Sequence, residues 1–466
     1  MADISEGRIA LLALRQMITD HEQAFISALQ LDSGKPPVEA YASEISIVLD
    51  EIQFLLRQGH KVLKPRTVNG LGLWFQSKAV VSREPYGRVL VLSPWNYPFQ
   101  LALLPVAGAL LAGNTCVLKP SELAPATANV LADLVPRYFP TLSGSQGPRL
   151  ILVTGDAAFA QTLLQEPWDY VFFTGSGQVG RIVSEILAPR LIPHALELGG
   201  KNPVVIGPGG VTPALVRRLV WAKFIHCGQT CIAPDDVLVP AQDASKLIEL
   251  LTAQIKIFYG ENPAQSPDYG RIGHVGHFDR LVKMLDSSLV CSGRAGDQTV
   301  TAPRIVSGGQ YDRTSRYFAP TLLIDLAADA PLAREEIFGP ILPIRTYRNE
   351  QELRALLSDR PQPLTVYCLS QDRLFMENLS RAVQTSAFSH NQFIYHAASS
   401  HLPFGGLGSS GHGRYHGLAS LITFTYEKIT YLDRSAAGKY DLDQQYPPYK
   451  EDALALYRKF VRRFRR

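Results

Sequence analysis

Apolar residues recur along this chain at two different periods. Between residues 8 and 61 they fall at helical spacing, as in Ile45, Val48, Leu49, Ile52, Leu55 and Leu56, three or four apart, so that they share one helix face. The turn-rich string Asp32-Ser33-Gly34-Lys35-Pro36-Pro37 interrupts this stretch, which predicts two helices at the start of the chain. Beyond it, apolar bursts of strand length alternate with helical segments: 88–93 then 101–112, 115–119 then 124–135, 149–153 then 157–165, and 170–173 then 180–187. Such alternation predicts a parallel, doubly wound sheet of the α/β class. A second series begins at Pro203-Val204-Val205-Ile206 and runs through 237–239, 319–324 and 364–368, which predicts a second α/β domain. No internal repeat or low-complexity segment interrupts the pattern.

Composition narrows the class. With 46% hydrophobic and 19% charged residues the chain has enough apolar surface to bury a core, which excludes a disordered protein. Its 466 residues, at roughly 150 per domain, suit about three domains. Forty-six basic residues against 42 acidic ones leave +4, too balanced for a nucleic-acid binder. Six cations lie between Arg458 and Arg466, so the body without them carries 4 − 6 = −2. In this tail Tyr457, Phe460, Val461 and Phe464 follow helical spacing, which predicts a basic amphipathic helix, docked on its own body or peripheral to a membrane surface. The apolar run 89–112 is broken by Pro94, Asn96, Pro98, Gln100 and Pro105, and reads as a buried strand, a turn and a core helix instead of a membrane span. Five sparse cysteines, an odd number, and an N-terminus carrying Asp3 and Glu6 fit a reducing, cytoplasmic setting.

Three strings carry candidate chemistry. Cys231 follows Gly228-Gln229-Thr230, where glycine lets the backbone turn and present a thiol; on composition alone it reads as a small buried hydrophobe. Glu197 stands between two leucines in Leu196-Glu197-Leu198-Gly199-Gly200-Lys201. Apolar neighbours raise a carboxyl's pKa toward the range of a general base, whereas the bland reading is a surface acid at a strand end. Gly175, Gly177 and Gly180 meet the G-x-G-x-x-G pattern between a strand and a helix, a setting that suits a pyrophosphate. The acid about twenty residues beyond that fingerprint holds a ribose, which nominates Glu197 for a second, competing role.

Seven motifs follow the order of the aldehyde dehydrogenase superfamily: Pro94-Trp95-Asn96-Tyr97-Pro98, Val117-Leu118-Lys119-Pro120-Ser121-Glu122, Phe173-Thr174-Gly175-Ser176, Leu196–Lys201, Gly228–Cys231, Glu335-Glu336-Ile337-Phe338-Gly339-Pro340 and Leu402-Pro403-Phe404-Gly405-Gly406. The strings Ile232-Ala233-Pro234-Asp235, Ser266–Ile272, Tyr415-His416-Gly417 and Tyr446-Pro447-Pro448-Tyr449 resemble the class 3, fatty-aldehyde type, and the likeness spans essentially the whole chain. The resemblance implies NAD(P)-dependent oxidation of an aliphatic or aromatic aldehyde to the acid. It implies Cys231 as nucleophile, Asn96 as oxyanion donor with the Cys231 backbone N–H, and Glu197 as the base that activates water. Lys119 and Glu122 are then expected on the adenosine ribose, Gly175, Ser176 and Gly180 at the pyrophosphate, and Glu336 and Phe338 around the nicotinamide ribose and ring. Glu122 beside the ribose favours NAD, with NADP possible, because a carboxylate repels a 2′-phosphate; no metal is implied. Two departures stand out, His226 where the class usually has Asn and Gly177 where it usually has Thr.

The expected architecture is a Rossmann-type cofactor domain over 1–200, interrupted by an arm at 68–86, an α/β catalytic domain over 201–400, a return with the β oligomerisation arm at 401–434, and the basic tail at 435–466. Val80-Val81-Ser82-Arg83 is expected to pair with a strand near 422–431 and to build a homodimer. Two rival readings are an aldehyde-dehydrogenase-fold binding protein without turnover and a cysteine esterase or acyl-transferase using the thioester without a redox step.

Overall fold

A computed structural model describes residues 4–71, 74–140, 149–291, 302–432 and 446–463. Two large sheets and a three-stranded one organise them, beside a two-stranded ribbon of Tyr311–Asp312 and Tyr317–Phe318. The first has six strands in the order Gly411–His412, His194–Glu197, Tyr170–Thr174, Arg88–Leu92, Thr115–Lys119, Leu150–Leu152, all parallel except the short edge strand Gly411–His412. Alternate residues bury on opposite faces: Val89, Val91, Cys116, Leu118 and Phe172 on one, Leu90, Leu92, Val117, Val171 and Phe173 on the other. That is the period-2 pattern of a sheet covered on both sides, and it explains why the strands read as unbroken apolar runs.

The helices Ile4–Asp20, Glu22–Ser33 and Ser46–Gln58 cover the first of these faces. The opening stretch is more divided than its periodicity suggests, because a break at His21 splits the first helix and a π-turn at Tyr41–Ile45 precedes Ser46–Gln58. Helix Glu22–Ser33 stops at Gly34, whose left-handed φ of 63° lets its N–H return to the Gln30 carbonyl. Next to it, buried Asp32 accepts hydrogen bonds from Ala126 N (2.9 Å) and Thr127 N (2.9 Å), and so caps the helix Pro125–Tyr138 from a distant part of the chain. A cap of this kind contributes on the order of 1 kcal/mol. The run 89–112 folds as the strand Arg88–Leu92, a turn and the helix Gln100–Leu111, which is buried all round. Among the described residues no helix is long and apolar enough to cross a membrane.

The second sheet has seven strands in the order Arg304–Ser307, Thr321–Ile324, Ile341–Tyr347, Asp236–Pro240, Pro203–Ile206, Thr365–Leu369, Ala387–His390. The third is an antiparallel arm in which Trp74–Pro85 pairs on one side with Arg66–Leu71 and on the other with Thr425–Leu432. The returning strand begins at Thr425, later than residue 422, because Leu418–Thr423 is helical. The tail forms a helix, Ala453–Arg463, with Leu454 and Leu456 exposed. The expected Phe464, Arg465 and Arg466 lie outside the described residues, as do the side chains of Phe460 and Val461.

Candidate active site

Parallel register brings Leu92, Lys119, Thr174 and Glu197 to the same C-terminal edge of the six-stranded sheet. The chain builds outward from Arg88–Leu92 to Leu150–Leu152 and then returns to the opposite side with Tyr170–Thr174. This reversal leaves a crevice at the strand ends, the usual ligand position in such sheets. Asn96, Gly175, Ser176 and Glu197 all stand there. The N-terminal edge of the seven-stranded sheet meets it, with Asn202, Asp235 and Glu336 just ahead of the strands Pro203–Ile206, Asp236–Pro240 and Ile341–Tyr347.

Cys231 is carried by a tightly fixed loop after the helix Pro213–Phe224. His226 (φ 48°), Cys227 (φ 53°) and Gly228 (φ 72°) are all left-handed. Each non-glycine residue in that region costs on the order of 1–3 kcal/mol and persists only where its surroundings hold it. Glycine is required at 228, because a Cβ there lies 2.5 Å from the Gly339 carbonyl oxygen. Fully buried Gln229 donates to His226 O (2.9 Å) and Arg271 O (3.0 Å) and accepts from Gly273 N (2.8 Å). Asn202 donates to Cys231 O (2.7 Å) and Ala233 O (3.3 Å), while the Tyr97 and Thr230 hydroxyls meet at 2.8 Å. These clamps hold the strained turn.

Two cavities converge on Cys231. One, of about 310 Å³, is lined by Asn96, Gly175, Ser176, Glu197, Glu336 and Phe338, among others. The other, of about 250 Å³, is walled chiefly by apolar side chains, and Leu101, Cys231, Phe404 and Tyr415 border both. Cys231 is half-buried and borders both cavities, whereas Cys227 is fully buried. Burial, with the Glu336 and Glu197 carboxylates, pushes the Cys231 pKa up to about 12, partly offset by the backbone N–H groups of Cys231 and Ile232. One N–H of the Asn96 amide is held by Gln229 O at 2.9 Å, which aims the group and leaves its second N–H available.

Glu197 is 3% exposed and neither of its carboxyl oxygens has a partner in the structure. Burial raises its pKa well above the usual value, with the Arg414 guanidinium pulling weakly the other way. Glu336 accepts from Gly200 N at 3.1 Å, and burial, then the Asp235 charge, pushes its pKa up to about 8. A buried ion pair, Lys201 to Asp235 at 2.5 Å, ties the two strand edges together, and the second Asp235 oxygen accepts from Ile337 N (3.0 Å). Phe338 has a left-handed φ of 56° and sits edge-on to Trp95 at 5.6 Å.

Lys119, Glu122 and Gly180 lie outside the lining of this cavity. Lys119 and Glu122 form an ion pair with each other at 2.5 Å, on the turn after the strand Thr115–Lys119. Gly180 is a packing glycine, since a Cβ there lies 2.6 Å from Leu198 Cδ2. Ser176 Oγ accepts from Val179 N (3.3 Å) as N-cap of the helix Gly177–Leu187, which starts at Gly177, earlier than the predicted residue 180. The residues suit a dinucleotide. That helix directs its N-terminus at the crevice, nothing lies within 4 Å of a Cβ at Gly177, and the buried Thr174 hydroxyl in the cavity wall has no partner. Periodicity and spacing gave no notice of Asn202, Asp235, His274, His277 or Arg280. Their only sequence signal is closeness to the quoted motifs; the fold alone brings His274, His277 and Arg280 to the cavity, Asn202 to the Cys231 carbonyl and Asp235 to Lys201.

Residues 2–430 match the profile of the Aldehyde dehydrogenase family. A 4,4'-diapolycopene-4,4'-dial dehydrogenase of Cytobacillus firmus is 42% identical over 89% of this chain and 87% of its own length. Aldehyde dehydrogenase family 3 member H1 of Arabidopsis thaliana is 38% identical over 98% of this chain and 90% of its own. The substrate-bound state of Staphylococcus aureus AldH superimposes with a TM-score of 0.90 at 38% identity, covering 98% of this chain and 95% of that one. A Mycobacterium tuberculosis aldehyde dehydrogenase complexed with NAD+ gives a TM-score of 0.81 at 26% identity, covering 94% and 86%.

Proposed function

The chain belongs to the aldehyde dehydrogenase family and is an NAD(P)-dependent enzyme that oxidises aldehydes to acids, and from that premise we propose how its own residues divide the work. The observation that carries the proposal is the position of Cys231 where two cavities meet, one lined by Asn96, Glu197, Glu336 and Phe338 and the other chiefly apolar. The apolar cavity receives the aldehyde and the other the cofactor. Cys231 Sγ gives up its proton to solvent through the open cavity and adds to the carbonyl carbon, and the displaced electron pair settles on oxygen between the free Asn96 N–H and the Cys231 backbone N–H. Donors so placed are worth about 10²–10³ in rate each.

The nicotinamide supplies a hydride acceptor when bound, so that a thioester remains on Cys231. Phe338 positions its ring, Glu336 its ribose, and Lys119 with Glu122 the adenosine ribose. Glu197 then takes a proton from the water that attacks the thioester, and the acid leaves as the thiol side is restored. The ion pair at Lys119 supports NAD over NADP, because its ammonium is engaged by Glu122 and the carboxylate repels a 2′-phosphate.

The division into a cofactor domain, a catalytic domain, an arm and a tail follows the three sheets and belongs to the same proposal. A homodimer is supported by the arm, whose outer strand leaves Tyr426 and Ile429 exposed, an edge that a second copy would cover. Peripheral membrane contact through the helix Ala453–Arg463 and a reducing, cytoplasmic setting are further parts of it; all five cysteines are free. No observation favours the esterase or the non-catalytic reading. The test is near-ultraviolet absorbance of reduced cofactor with apolar aldehydes and NAD or NADP. Wild type should produce it and Cys231→Ala should not; equal turnover by the variant overturns the proposal.

A further inference from the structure

The apolar cavity that borders Cys231, and whose lining does not include Glu197, has one acidic side chain in its wall, Glu39, carried by the short helix Pro37–Ala40. Ile47, Trp221, Ile225 and Ile232 line the same cavity. One Glu39 oxygen accepts from His226 N at 3.2 Å, the first residue of the left-handed turn that leads to the nucleophile. The carboxyl therefore touches both the substrate path and the loop that presents the thiol.

The groups facing Glu39 come from several segments. Lys35 lowers its pKa and Asp268 raises it, while Tyr97, Cys227 and Tyr259 feel its charge in turn. His226 offers only its backbone N–H, and its buried ring is held neutral. Burial outweighs all of these and pushes the Glu39 pKa up to about 7.

We propose that Glu39 makes this cavity selective for the chain length of the aldehyde in a proton-linked way. A long alkyl tail covers the carboxyl, removes its remaining water and so binds beside the protonated acid, whereas a tail of two or three carbons leaves it hydrated. A charged group shut in by hydrocarbon is costly, so the bound state takes a proton from solvent when the pH is high. Long aldehydes then lose ground to short ones as the pH rises. The inference rests on the reading of Cys231 as nucleophile and of this cavity as the aldehyde path.

The test compares kcat/KM for decanal and propanal across pH, because their ratio cancels titrations of the shared chemistry. For a group titrating near 7, the wild-type ratio should fall about tenfold between pH 6 and pH 8. In Glu39→Gln the amide oxygen can still accept from His226 N, and the ratio should stay flat. Glu39→Ala also removes the acceptor that steadies the nucleophile turn, so kcat should drop for both aldehydes. A flat wild-type ratio, or a fall that persists in Glu39→Gln, overturns the proposal. A second measurement needs no turnover: calorimetric titration of Cys231→Ala with decanamide at pH 8 in two buffers of different ionisation enthalpy. Uptake approaching one proton per site that vanishes with Glu39→Gln supports the proposal, and no uptake refutes it. Failure of the catalytic reading would show separately, as no reduced cofactor from either aldehyde.

Discussion

Replacing Glu336 by glutamine should make the cofactor-free enzyme more stable while weakening its hold on NAD. The carboxyl is pressed against Gly199, where a Cβ would lie 2.1 Å from its Oε2, and it accepts from Gly200 N at 3.1 Å, a bond that an amide oxygen can also accept. Burial raises its pKa from the usual 4.5 to about 8. A carboxyl raised in this way stabilises the fold fully below the unfolded value and loses that contribution as the pH rises through the folded value. Ionisation in the unfolded chain alone then costs the native state about 3 kcal/mol at pH 7 and about 1 kcal/mol at pH 5. Water in the cavity screens part of this, leaving about 2–3 kcal/mol at pH 7. Glutamine removes the penalty. At roughly 2 cal/mol/K per residue, a chain of this length melts with an entropy of about 1 kcal/mol/K, so Tm should rise on the order of 2–3 °C at pH 7 and by less than half of that at pH 5. Above pH 8, where the wild-type carboxyl is ionised, the same variant loses a charge-assisted hydrogen bond to the cofactor ribose, and its Kd for NAD there should rise about 10- to 100-fold. Differential scanning fluorimetry at the two pH values and a fluorescence titration with NADH give both numbers. A Tm gap that is negative, or constant from pH 5 to pH 8, would refute the reasoning.

Three other outcomes follow from the geometry. Asn96→Ala should lower kcat about 10²–10³-fold with little change in the Kd for NAD, as stopped-flow and equilibrium titration would register; a change confined to KM contradicts the oxyanion role. Iodoacetamide should label Cys231 before Cys227, because burial raises both thiols alike but Cys227 is fully buried while Cys231 borders two cavities, with peptide mass spectrometry as the readout; prior labelling of Cys227 would reverse the assignment. Sedimentation at micromolar concentration should find a dimer that weakens when Ile429, which is 69% exposed, becomes Asp; a wild-type monomer would remove the role given to the arm.

Much of the first sheet was legible because its strands are buried on both faces and read as apolar runs: the predicted 88–93, 115–119 and 170–173 differ by at most a residue or so from Arg88–Leu92, Thr115–Lys119 and Tyr170–Thr174. The strand His194–Glu197 was missed since its polar ends and short length leave no period to read. The motifs identified Cys231, Asn96 and Glu197, all of which line one cavity, but spacing alone left Glu197 divided between base and ribose ligand. In the structure neither of its oxygens has a partner, and Glu197 lines the cavity that Cys231 also borders. The clamps that fix the turn leading to Cys231 were invisible to periodicity: Asn202 and Gln229 act through backbone carbonyls and amides, and such partners have no sequence signature. Gly180 illustrates the opposite limit, a fingerprint glycine whose structural use is the close approach of Leu198.

The central claim is that Cys231 carries the acyl group and Glu197 activates the water that removes it. Glu197→Gln, mixed rapidly with decanal and NAD, tests both at once when the burst of NADH is followed and the quenched protein is digested for mass spectrometry. The account predicts a burst near one equivalent per active site, slow turnover afterwards, and a decanoyl group on the peptide that contains Cys231. Steady turnover at the wild-type rate, or an acyl group found on any other residue, would contradict it.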